Sequence, residues 1–133
     1  MIEQVNQIIG YLQSKKWGEH TPDRLVDAQG KLSVLLSNVG KEVAQARNEM
    51  DVMELGAKQY EADRFLHYKA SMSIEESKYN ARIDTFNHWT KHLDAKHAYN
   101  DLRAVYDAMT TMIVSIQVTL REKQKDYNSS QYQ

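Results

Sequence analysis

The sequence predicts an all-α fold: a long, coiled-coil-like antiparallel helical hairpin with a short N-terminal helix, assembled as an oligomer. Three observations predict it. Helix breakers are nearly absent. After Gly56 the 133-residue chain has neither glycine nor proline, and its single proline, Pro22, stands where a helix would begin. Apolar residues recur at three- and four-residue steps over most of the length, the period of one helix face. One soft break near residues 70–73 then divides the breaker-poor region into two segments of similar length, the pattern of an αα-hairpin.

The first element covers residues 2–13, where Ile2, Val5, Ile8, Ile9 and Leu12 share a face. Residues up to His20 read as a loop. Thr21-Pro22-Asp23 is a helix start: a hydroxyl to accept a free first-turn N–H, a proline that forfeits no hydrogen bond, and an acid at the positive end of the dipole. The helix from it runs over 22–70. Its apolar stripe is Leu25, Ala28, Leu32, Leu35 and Val39, then, after a one-residue slip, Val43, Ala46, Met50, Met53, Ala57 and Tyr60. Gly30, Gly40 and Gly56 each weaken it by about 1 kcal/mol relative to alanine, and Gly40 marks a candidate bend.

A turn at 70–73 follows. Ser73-Ile74-Glu75-Glu76 has the S-x-x-E form of a capping box and opens a helix over 74–126. Its clearest seam is Leu102, Tyr106, Met109, Ile113, Ile116, Leu120 and Tyr127, a heptad pattern. Tyr79, Ile83, Phe86 and Leu93, with Thr90 between, read as an earlier stretch of seam. The two phases do not join smoothly across His97 and Tyr99, which predicts a local change of supercoil. Residues 128–133 read as a disordered tail.

At 1.5 Å per residue the two long helices reach about 73 and 80 Å, so a short turn folds one back along the other. That brings residues 25–39 opposite 105–120, the two most apolar stretches, with the N-terminal helix capping the same end. The whole is one helical domain over 1–127. The half near the turn cannot bury an all-round core, so its seams invite partners, a dimer being the simplest closed form. The alternative is a compact four-helix bundle with breaks at Gly40 or near His97.

Composition narrows the function classes. With 41% hydrophobic and 26% charged residues and a net charge of −1, the chain reads as a soluble, cytoplasmic protein rather than a polyanion-coating one. It has no cysteine, hence no disulfide framework, thiolate nucleophile or cysteine zinc site. Its first residues lack the basic and apolar regions of a secretory signal. The most apolar stretch, 112–120, is interrupted by Ser115, Gln117 and Thr119 and is too short to span a bilayer, so no membrane partner is expected.

The stretch around the turn mixes rings and cations. Arg64, Tyr68, Lys69, Lys78, Arg82, Trp89 and Lys91 form the candidate binding set, for single-stranded DNA or RNA or for a protein partner. Cations track phosphates and rings stack on bases. The same residues read equally as seam aromatics and a solvated charged face, diluted by Glu61, Asp63, Glu75, Glu76 and Asp84. Asp84, His88 and His92, at four-residue spacing, share a helix face and form a weak candidate metal site that would need His67 or His97 as well. No H-E-x-x-H, G-x-S-x-G or glycine-rich phosphate loop occurs, so neither catalysis nor a cofactor is expected. The seam methionines, among them Met50, Met53 and Met109, suit adaptable packing or an exchangeable partner surface.

From about residue 56 to 125 the chain resembles a class of small all-helical bacteriophage proteins encoded near DNA replication and recombination genes. The resemblance lies in Ala57-Lys58-Gln59-Tyr60-Glu61-Ala62 before the turn, in Ser77-Lys78-Tyr79-Asn80-Ala81-Arg82 after it, and in the apolar heptad of residues 113–121. The longer N-terminal segment and the uneven basic content near the turn depart from the pattern. The resemblance implies a phage-encoded, non-enzymatic accessory protein acting on DNA-processing machinery or on a host protein. Its expected partners are itself and an unidentified protein, with single-stranded nucleic acid binding as the alternative.

Overall fold

A computed structural model describes residues 1–131. Over these the chain is all-α: α1 (Ile2–Gln13), a short 3-10 turn (Trp17–Glu19), α2 (Pro22–Lys69), α3 (Ile74–Asp84) and α4 (Phe86–Gln131). Two long helices that pack along each other agree with the hairpin reading. The two expected N-cap hydroxyls accept first-turn N–H groups. Thr21 Oγ1 accepts the Arg24 N–H at 3.4 Å, and Ser73 Oγ accepts the Glu76 N–H at 3.2 Å. At the turn, the Ser71 and Met72 N–H groups both donate to the Tyr68 carbonyl, at 3.1 and 3.0 Å, so the end of α2 is satisfied without a left-handed residue.

The boundaries differ from expectation in two places. The helix expected over 74–126 is interrupted at Thr85, whose backbone sits at φ −95°, ψ 2°. Thr85 is buried, and its hydroxyl donates back to the Ala81 carbonyl at 2.7 Å. A hydroxyl inserted into the carbonyl ladder in this way bends a helix. The ladder resumes at once, with the Trp89 N–H on the Thr85 carbonyl at 3.0 Å. Gly40 and His97, the two break points considered, both lie inside uninterrupted helices. Residues 128–131 are helical rather than a disordered tail: no breaker stops the ladder, and the Ser130 hydroxyl folds back onto the Asp126 carbonyl at 2.9 Å. Residues 132 and 133 lie outside the described residues.

The chain divides into two compact units: Met1–Lys41 together with the chain from Arg103 onward, and Glu42–Leu102. The first unit is a three-helix assembly with a conventional core. Val5 and Leu12 of α1, Leu25, Leu32 and Val39 of α2, and Met109 and Ile116 of α4 are buried in it. Each such side chain contributes about 1.5–3 kcal/mol when taken out of water. Buried His20 locks the α1–α2 connection. Its Nε2 lies 2.9 Å from the Leu12 carbonyl, and its ring packs between Tyr11 and Trp17, at centroid distances of 5.3 and 6.0 Å. Lys123 of α4 donates to the Gly18 carbonyl at 3.0 Å. At Gly40 a Cβ would stand 3.5 Å from the Tyr106 ring, so the bare backbone lets that ring lie close.

The second unit contains the end of α2, all of α3 and the start of α4. Its helices run antiparallel: Met50 meets His92, Tyr60 meets His88, and Arg64 meets Asp84. Its buried side chains are Ala46, Ala57, Ser77, Ala81 and Thr85, so no large apolar residue is buried in this unit.

Candidate interaction surface

The seam of the second unit is built from small and polar groups. Counted back from Met109 in three- and four-residue steps, the inward positions of α4 are Tyr106, Leu102, Tyr99, Ala95, His92 and His88, followed by Thr85, Ala81 and Ser77. The hydroxyls need nothing from the opposite helix. Ser77 bonds the Ser73 carbonyl at 2.7 Å, and Thr85 that of Ala81. His88 stacks on Tyr60 at 4.2 Å with the rings 16° apart. His92 Nδ1 lies 3.3 Å from the Met50 carbonyl, and the Trp89 ring stands edge-on to it at 5.7 Å.

This corrects the earlier stretch of seam. Tyr79, Ile83, Phe86 and Leu93 do not face α2; they are 66%, 55%, 69% and 49% exposed. The physical reason is phase. The heptad through Leu102 and Met109 extends onto the histidine and alanine positions, which places the large apolar side chains on the opposite side of the helix. With Thr90, they make an outward stripe at steps of four, three, four and three. α2 has its own counterpart on the side away from buried Ala57: Val52, Leu55, Gln59, Ala62 and Leu66, all exposed. Met53, expected in the α2 seam, and Tyr127 at the end of the α4 seam are also exposed, whereas Tyr60, though partly open to solvent, keeps its seam contact with His88.

The candidate binding residues separate into three groups. Arg64 and Tyr68 are tied to Asp84. Arg64 Nε and the Tyr68 hydroxyl each donate to Asp84 Oδ2 at 2.7 Å, and Arg64 Nη2 donates to the Tyr68 oxygen at 3.2 Å. The Tyr68 hydrogen bond first, and the Arg64 hydrogen bond second, hold the Asp84 carboxyl below the ordinary carboxylate range. Lys78 and Arg82 line a groove of about 370 Å³ with Lys58, Phe65 and Ala81, and Glu61 lies at its wall. Lys69 stands 6.0 Å over the Phe65 ring. Lys91 is exposed, and helical geometry puts it and half-buried Trp89 on opposite flanks of α4. The sequence reading missed Lys58 and Phe65 as groove residues. Their signal was the spacing Lys58, Phe65, Lys69, one face of α2.

The three candidate metal ligands are not brought together. Asp84 serves Arg64 and Tyr68, His88 serves Tyr60, and His92 serves the Met50 carbonyl. Among the described residues no group of three His, Cys, Asp or Glu side chains is placed to hold a metal ion. A concavity of about 700 Å³ is an open groove between α1 and α2 in the first unit, where Asp27 and Lys31 neutralise each other at 3.0 Å. Among the described residues no helix is long and apolar enough to cross a membrane. Compared with known proteins, the chain matches no family model, no curated protein and no solved structure.

Proposed function

We propose that this chain is a non-enzymatic helical interaction protein whose second unit docks partner helices on its outward faces. One observation carries this reading: the second unit buries only alanine, serine and threonine while Leu55, Leu66, Ile83 and Phe86 are turned to solvent. Monomeric proteins seldom leave contiguous apolar surface of this kind uncovered. Heptad spacing on both outward stripes suits a helix laid alongside. The resemblance to phage accessory proteins suggests DNA-processing machinery or a host protein as the setting. Light scattering after size exclusion, combined with co-purification, tests the reading. It expects concentration-dependent assembly or a recovered partner, lost when a glutamate is placed in the outward stripe that carries the contact, Phe86→Glu for the α3–α4 stripe or Leu66→Glu for the α2 stripe. A protein that stays monomeric at every concentration and recovers nothing contradicts it.

The groove at Lys58, Phe65, Lys78 and Arg82 supports a second reading, single-stranded nucleic acid binding, because cations flank a ring there. Fluorescence anisotropy with a short single strand should then show binding that weakens as salt rises and weakens further in Arg82→Glu. Absence of binding at low salt and micromolar protein contradicts it.

A further inference from the structure

The outward stripe of α3 and α4 is complementary to itself in one register. In heptad terms its core positions are Tyr79, Ile83, Phe86, Thr90 and Leu93. Glu75, Arg82, Trp89 and Lys96 flank it on one side, and Asn80, Asn87 and Asp94 on the other. All of these residues are exposed except Trp89 and Asn80, which are half-buried; the Asn80 amide donates to Met72 Sδ at 3.2 Å.

We propose that a second copy of this chain docks on this face, its α3 and α4 antiparallel to the first, about a two-fold axis passing between Asp84 and Thr85. This deepens the docking reading above and rests on it. In this register Ile83 lies opposite the second copy's Phe86, and Tyr79 opposite its Thr90. Leu93 lies over the methylenes of its Glu76. On the flanks, Glu75 meets the second copy's Lys96 and Arg82 meets its Trp89, while Asn80 meets its Asn87. Two-fold symmetry makes each of these contacts twice. No flank contact is repulsive, and one pair is a cation facing an indole ring.

The alternative registers are poorer. Sliding by one heptad to an axis at His88 sets Arg82 against Lys96 on both sides, a like-charge contact that costs stability. Parallel pairing loses the Glu75–Lys96 contact and aligns the helix dipoles. The complementarity lies within a single stripe of this chain, which is why the occupant is another copy rather than an unrelated helix.

A charge exchange tests the register. Sedimentation velocity at low ionic strength, over a wide range of concentration, is run on wild type, Glu75→Lys, Lys96→Glu, the double exchange, Phe86→Glu and Leu66→Glu. Each single exchange should weaken the dimer about tenfold, since two exposed ion pairs become repulsive. The double exchange should restore it, and Phe86→Glu should abolish it. Circular dichroism of each variant checks that the exposed substitutions leave the helices intact. Lys96 also stands near Glu54 on α2, and restoration by the double exchange separates the intermolecular effect from that contact. Leu66→Glu, on the α2 stripe, should leave the dimer unchanged.

Three outcomes overturn the proposal. One is a dimer indifferent to Phe86→Glu, and another is a dimer that Leu66→Glu dissociates; both leave helix docking standing while placing it elsewhere. The third is a wild-type monomer at all concentrations. Only when this is joined to the recovery of no partner does it also remove the broader reading.

Discussion

At the scale of single residues, polar side chains in the second unit replace the apolar contacts usual in a helical seam. Asp84 shows how. Its carboxylate accepts from the Tyr68 hydroxyl and from Arg64, and both contacts favour the charged form. A carboxyl held below its unfolded value contributes stability that is present above the ordinary carboxylate range. That stability is lost as pH falls through the lowered folded value. Asp84→Asn should therefore lower the thermal midpoint at neutral pH, and the difference from wild type should vanish in strong acid, where Asp84 is protonated in both states. A gap that persists unchanged into acid would mean that packing rather than charge sets the effect. Because both side chains of the Arg64–Asp84 pair remain partly exposed, solvent screens the pair and the shift in midpoint should be modest.

At the scale of elements, the two units have two kinds of inward helix face. In the first unit it is Leu25, Leu32 and Val39 of α2 with Met109 and Ile116 of α4; in the second it is Ala46 and Ala57 of α2 with Ala81 of α3 and Thr85 at the α3–α4 junction. Substitutions should respond in opposite senses. Leu32→Ala leaves a cavity and should cost about 2–5 kcal/mol. Ala81→Leu forces a large side chain into a buried position at the floor of the Lys58–Arg82 groove and should cost about 1–3 kcal/mol. Chemical denaturation read by circular dichroism measures both; an Ala81→Leu protein more stable than wild type would show that the seam has room.

The same contrast explains what was legible in the sequence. Element identity, the caps at Thr21 and Ser73 and the turn could be read because breakers and capping hydroxyls act locally. The first unit's core could be read because its apolar period is unambiguous. The Thr85 interruption could not, since a threonine bends a helix only when its hydroxyl turns back onto the ladder. The Tyr79–Leu93 stripe was assigned to the seam by the rule that large apolar residues go inside. That rule fails where the inward phase already falls on alanine and histidine. Lys58 and Phe65 became groove residues only once Lys78 and Arg82 were placed beside them by tertiary packing.

At the scale of the whole molecule, the two units differ in how far each supports itself. The first has the large buried side chains of an independent core. The second has methyl-sized burial, hydrogen bonds partly open to water and its large apolar groups outside, which are the features of a region that opens at low free-energy cost. Near-zero net charge leaves little global repulsion to oppose association of the exposed stripes. Under the proposed function, the second unit is completed by what covers its outward faces. Amide hydrogen exchange followed by mass spectrometry, at low and at high protein concentration, decides this. Residues 42–102 should exchange much faster than the buried helices of the first unit in dilute solution. Amides of α3 and the start of α4 should gain protection as concentration rises. Equal protection of the two units at both concentrations would contradict it.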